Sequence, residues 1–152
     1  MDVQTLQGHV LTLATIEQSD APMVSCYLNL ETGLAPARRM LDQRVGLLRK
    51  TLAAPQRGPF EQALCRIDSR LTAGFKAETL GVAIFSRGGE KEFFLDLDFR
   101  VPLPTWIVID TTPNIYHLVE LKDTYDRYVV VLVNERNTRI LEVHLGSVTE
   151  AA

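Results

Sequence analysis

Cysteine is scarce in this 152-residue chain: Cys26 and Cys65 are the only two. Their spacing fits no zinc-ligand pattern, and a framework of disulfides is excluded. Long apolar runs are missing too, so nothing in the sequence reads as a bilayer-spanning segment. The start, Met-Asp-Val-Gln, lacks the basic and then apolar region of a secretory signal. A reducing cytoplasm is therefore the expected compartment. Aromatics make up 7% and histidines number three, at positions 9, 117 and 144, none at metal-ligand spacing with another His, Cys or carboxylate. No nucleophile elbow, phosphate-binding Walker loop or dinucleotide fingerprint occurs. The sequence thus predicts no catalytic residue, no metal and no cofactor, and a chain that is not an enzyme by itself.

What is present is enough apolar material for an ordinary core. Hydrophobic residues reach 46% against 23% charged, and a chain of this size buries roughly 70% of its unfolded surface on folding. The net charge of -3 argues against coating nucleic acid by bulk electrostatics. Its distribution is uneven. Between Pro36 and Arg57 stand Arg38, Arg39, Arg44, Arg49, Lys50 and Arg57 against the single acid Asp42, a local +5 that leaves -8 for the remainder. An anionic partner is expected to meet the protein there.

Periodicity supplies the elements. Val3, Leu6, Val10 and Leu13 recur at helical spacing, with Asp2 placed as an N-cap. From Met23 to Leu30 the period drops to two, which predicts a strand with Val24, Cys26, Leu28 and Leu30 on one face. That makes Cys26 a small core residue. A long helix is predicted from Pro36 to Ala53 on the seam Leu41, Val45, Leu48 and Leu52. Pro55, Gly58 and Pro59 read as a turn, and a second helix runs from Pro59 to about Ala73 on Phe60, Leu64, Ile67 and Leu71. Together the two form a helical hairpin. Beyond Gly74 the pattern is β: Thr79 to Ser86, a turn at Arg87-Gly88-Gly89-Glu90, then Phe93, Leu95, Leu97 and Phe99 alternating with Asp96 and Asp98. The two acids are expected on the wet face of an edge hairpin as a solubility device. Trp106 to Asp110 is a further strand, followed by a short helix opening at Thr111-Thr112-Pro113 and running to about Leu121. Arg127 to Val133 and Thr138 to Leu145 flank Asn134-Glu135-Arg136-Asn137 as the clearest hairpin. The expected class is α+β, with a mixed sheet and a long helical hairpin, followed by a β-hairpin.

Several phrases carry a family resemblance: Val24-Ser25-Cys26-Tyr27-Leu28-Asn29-Leu30, Gly81-Val82-Ala83-Ile84-Phe85-Ser86, and Tyr128-Val129-Val130-Val131-Leu132-Val133 leading to Ile140-Leu141-Glu142-Val143-His144-Leu145-Gly146. With the order of elements, they resemble the archaeo-eukaryotic class-1 peptide release factors, and more closely the bacterial release-factor-like proteins. The resemblance implies that residues 1–125 form the N-terminal domain and that residues 126–152 open a second, RNase H-like domain. It also implies action in the ribosomal A site. Two family hallmarks are missing from the 152 residues: the Gly-Gly-Gln loop that promotes peptidyl-tRNA hydrolysis, and the Asn-Ile-Lys-Ser motif, absent from Thr51 to Gly58. Stop-codon reading is therefore not implied. What the resemblance leaves is a non-catalytic docking domain for the ribosome or for tRNA or rRNA, in termination or rescue. The alternative is a protein-interaction module that meets an acidic partner through the basic helix 36–57, and the plain reading of those charges is a solvated face.

On a helical wheel with Leu41 at zero, the seam lies within about 40° of zero, whereas Arg39, Gln43 and Lys50 fall near 160°, 200° and 180°. These three, with Arg57 in the turn beyond, are the expected RNA-binding residues, with Gly46 beside them near 140° leaving room for a backbone. Arg38 and Arg49 lie nearer the seam and are expected to lean over the second helix. Finally, the strand from Val129 to Val133 is apolar on both sides, so its hairpin is expected to pair with a second copy as a homodimer.

Overall fold

The computed structural model describes Met1 and residues 3–151; the proposed cap, Asp2, lies outside them. Four helices and two antiparallel sheets give an α+β architecture. Its elements are α1 (Val3–Ala14), β1 (Met23–Asn29), α2 (Leu34–Thr51), α3 (Ala54–Ala73), β2 (Gly81–Arg87), β3 (Phe93–Phe99), β4 (Trp106–Asp110), α4 (Tyr116–Thr124), β5 (Tyr128–Val133), β6 (Thr138–His144) and β7 (Ser147–Ala151). The first sheet has the order β3-β2-β1-β4, the second β5-β6-β7. Every pairing is antiparallel, which corrects the expected mixed sheet. The reason lies in the connection. Two helices in succession carry the chain away from the end of β1 and back to it, so β2 must run opposite to β1, whereas a parallel pair needs a single crossover helix.

The four-stranded sheet divides two cores. On one face Val24, Cys26, Leu28, Val82, Ile84 and Ile107 meet α2 and α3 through Leu41, Val45, Phe60 and Ile67. On the other, Met23, Tyr27, Phe85, Leu97 and Phe99 meet α1 and α4 through Leu6, Leu13, Leu118 and Leu121. The alternation along β1 thus feeds both layers, which explains why its first six residues are all buried. From the end of β3 the chain crosses to the far edge of the sheet along residues 100–105, burying Val101 and Leu103. It passes so close over the start of β2 that a Cβ at Gly81 would collide with the Val101 carbonyl.

Helix α2 lies two residues earlier than expected, at Leu34–Thr51 instead of Pro36–Ala53, and three other differences have a local cause. Helix α3 begins at Ala54, so Pro55, Gly58 and Pro59 lie inside it and the hairpin turn is only Leu52-Ala53. Pro55 occupies the first turn, where its missing N–H is an orphan anyway. Pro59 deprives only the Pro55 carbonyl, on an exposed residue, of a helical donor. Arg87 is the buried last residue of β2 rather than part of a turn, because its guanidinium bonds the carbonyls of Lys91 and Glu17 at 2.7 and 2.8 Å. Helix α4 starts at Tyr116, later than the expected Thr111-Thr112-Pro113. Side chains of β1 hold the segment before it in a loop: Ser25 Oγ accepts the Asn114 N–H at 2.9 Å and the Tyr27 hydroxyl donates to the Asn114 carbonyl.

The terminal hairpin is present with its four-residue connection, and β7 extends it to a third strand that the periodicity did not indicate. This small sheet is anchored at one end. Leu145 in the β6–β7 turn is buried in the second core, and Gly146 sits so close to Arg100 that a Cβ would meet its carbonyl oxygen at 2.7 Å.

Candidate nucleic-acid interface

Helix α2 lays Ala37, Leu41 and Val45 into the core, and Leu52 just beyond it is buried as well. The wheel then fixes the rest. Arg38 and Arg49, flanking the seam, reach across to α3: Arg38 pairs with Asp68 at 2.5 Å, and Arg49 meets both Glu61 oxygens at 2.6 and 3.1 Å. The Arg49 guanidinium holds the Glu61 carboxyl below its ordinary range. Both arginines are thus engaged as ties within the helical hairpin, as their place on the wheel predicts.

Arg44 turns the other way. It reaches round the free edge of β4, donates from Nε to the Ile107 carbonyl at 2.6 Å and stacks its guanidinium 3.5 Å from the centre of the Trp106 ring. Planar guanidinium over indole is the favoured geometry of a cation–π contact. Sequence reasoning missed this pair, since the partners lie sixty-two positions apart. The only hint was an apolar edge strand opening on an aromatic residue.

Arg39, Gln43, Lys50 and Arg57 are all exposed. Among the described residues none of the three cations makes an ion pair or a side-chain hydrogen bond. Arg39 and Lys50 lie on one stripe of α2, eleven residues or roughly 16 Å apart along the axis. Arg57 is displaced from its expected position: it belongs to the first turn of α3, just past the Leu52-Ala53 turn, not to a loop beyond α2. Gln43 lines a shallow cleft with Met40, Arg44, Leu47, Thr105 and Trp106. Gly46 faces open space, with nothing within 4 Å of where a Cβ would be.

No protein-family model matches the sequence, and no curated protein matches it either.

Elsewhere, the acids of β3 behave differently from expectation. Asp96 and Asp98 face α3 rather than bulk water. Arg70 grips both, Nε to Asp96 at 2.5 Å and Nη2 to the two Asp98 oxygens at 3.1 and 3.2 Å, while Nη1 donates to the Gly74 carbonyl. Burial nonetheless pushes the Asp98 carboxyl above its ordinary range, against the pull of Arg70. The polar side of this strand is therefore a charge clamp under a helix, and the solubility reading is corrected. The Cys26 thiol is fully buried in the first core and pushed up to about 12 by desolvation, which fits a packing residue. Among the described residues no three His, Cys, Asp or Glu side chains converge to hold a metal, and no helix is long and apolar enough to cross a membrane.

Proposed function

We propose that the chain is a non-catalytic docking domain that binds the phosphate backbone of RNA along the outward stripe of α2. One observation carries the reading. Of the six cations between residues 36 and 57, Arg38, Arg44 and Arg49 are held by the protein's own groups. Arg39, Lys50 and Arg57 are exposed, and among the described residues none of them forms an ion pair. Cations so placed position a domain on a phosphate chain, and an amide beside them can both donate to and accept from a base. Gln43 is that group, beside the Arg44–Trp106 stack. The resemblance of the strand phrases to the release-factor-like proteins suggests the ribosome as the setting, in termination or rescue.

Met40 and Leu47 favour a second reading. At 57% and 62% exposure they flank the same stripe and suit an acidic protein partner with an apolar ridge. Salt separates the two readings. Phosphate contacts release counterions, and three of them give a log affinity against log salt slope of roughly -2 to -3. A partner that buries Met40 and Leu47 loses less affinity as salt rises, because screening weakens its charge contacts and leaves the apolar ones.

The decisive experiment is ribosome co-sedimentation across a salt series with wild type and the triple variant Arg39→Gln, Lys50→Gln, Arg57→Gln. The expected outcome is a slope near zero and weakened binding in the variant, with its fold intact because no seam residue is touched. Equal pelleting of both proteins at every salt concentration would leave the stripe as a solvated face.

A further inference from the structure

The two sheets present four outer strands, and three of these are guarded. On β3, Arg70 covers Asp96 and Asp98. On β4, Arg44 occupies the Ile107 carbonyl from outside. On β7, Glu150 is tied to Arg139. The fourth, β5, runs Tyr128-Val129-Val130-Val131-Leu132-Val133 without a charge, a proline or a bulge, in unbroken one-to-one register with β6. All six residues are exposed. Natural sheets guard such edges because an open row of N–H and C=O groups recruits another strand.

From this edge we infer that the protein self-associates, two copies joining β5 to β5 antiparallel about a two-fold axis to give one six-stranded sheet. The partner is identified by register. Opposite residues of an antiparallel pair are either both hydrogen-bonded or both not, so in a symmetric pair their residue numbers sum to an even value, and the axis passes through a residue. With the axis at Val131, Val129 faces the partner's Val133 and Val130 faces the partner's Leu132. Beyond the paired strands, the β5–β6 turn that carries Glu135 and Arg136 then lies beside the partner's Arg127 and Asp126, so the flanks meet with opposite charge. Moving the axis to Val130 sets that turn beside the partner's Tyr125. Moving it to Leu132 sets it beside the partner's Tyr128 and Val129. Only the central register matches charge to charge.

The elements that make these contacts are already fixed. Arg127 is held at the entrance of β5 by Glu142 at 2.5 Å. The tip that carries Glu135 and Arg136 is fastened by Asn134, whose Oδ1 accepts the backbone N–H groups of Arg136 and Asn137 at 3.0 and 2.7 Å. The side chains of Asp126, Glu135 and Arg136 have no partner among the described residues. Because the axis stands perpendicular to the sheet, Val129, Val131 and Val133 of both copies share one face, with Ile140 beside them. This surface is separate from the α2 stripe and does not depend on the RNA reading.

Light scattering on the full chain at high micromolar concentration should give a dimer. Asp126→Arg turns two attractive pairs repulsive and should raise the dissociation constant roughly tenfold to thirtyfold. Adding Arg136→Asp should bring it back to within about threefold of wild type. Both positions are exposed, so the fold tolerates the changes. A wild-type monomer, a dimer indifferent to Asp126→Arg, or a double variant that fails to recover would each overturn the inference.

Discussion

Arg70 reaches from α3 to two acids of β3 and to the carbonyl of Gly74 just past its own helix, so three acceptor groups depend on one side chain. Its removal leaves Asp96 and Asp98 beside each other with only Lys76 to offset their charge. Arg70→Leu is expected to cost about 2 kcal/mol, the scale of lost hydrogen bonds to charged groups, and to raise the Asp98 carboxyl further above its ordinary range. Urea unfolding and carboxylate titration by NMR check the two halves. A strand read alone cannot reveal this clamp, because the alternation of Phe93, Leu95, Leu97 and Phe99 with acids looks the same whether water or a helix covers the polar side. Arg38 and Arg49 were legible, since their angle from the seam already directed them toward α3. Arg44 was not: its partner Trp106 comes from β4, and no local pattern joins the two.

At the scale of elements, apolar spacing located α1, α2 and α3, the Thr111-Thr112-Pro113 signal pointed to α4, and every strand except β7 was legible. The ends were harder wherever tertiary contacts override local chemistry. Pro-Gly-Pro reads as a turn at residues 55–59 because those residues usually make one. Here the three fit the first turns of α3, where one lost hydrogen bond falls at the surface. Likewise Thr111-Thr112-Pro113 has the sequence of a helix start, but Ser25 and Tyr27 bind Asn114 and delay it. The wheel's prediction of an outward α2 stripe rests on helical geometry alone, and the exposure of Arg39, Gln43 and Lys50 agrees with it. The same stripe contains a weak point. Gly46 lies mid-helix with open space around it, so Gly46→Ala should stabilise the protein by roughly 0.5–1 kcal/mol and raise Tm by a few degrees, as scanning calorimetry would record. A lower Tm would mean that an alanine methyl meets something there.

At the scale of the whole molecule, five carboxylates among the described residues are shifted, in two directions. Lys91 holds Glu17 below its ordinary range, Arg49 holds Glu61, Arg127 holds Glu142 and Arg139 holds Glu150. Each contributes stability that is present above its unfolded-state value and is lost as pH falls through the lower folded value. Asp98 has the opposite sign. Raised by burial, it favours the folded state below its unfolded value, and that share is lost as pH rises through the folded one. Two of the four acid-sensitive ties fasten the terminal sheet, which has only Leu145 in the buried core. On acidification through and below the ordinary carboxylate range, NMR signals of β6 and β7 should therefore change before those of β1. Simultaneous loss would show that the two sheets melt as one unit. The strand order β3-β2-β1-β4 also bears on how the molecule comes into being. The central strand has no local neighbour: Met23 pairs with Arg87 on one side and Asp110 on the other. During synthesis the α2–α3 and β2–β3 hairpins can close from nearby contacts, while β1 must wait for pairings that span most of the chain. Of the four strands of this sheet, the one that emerges first is thus the last to be paired on both sides, and a nascent chain halted before Trp106 carries it with one side bare.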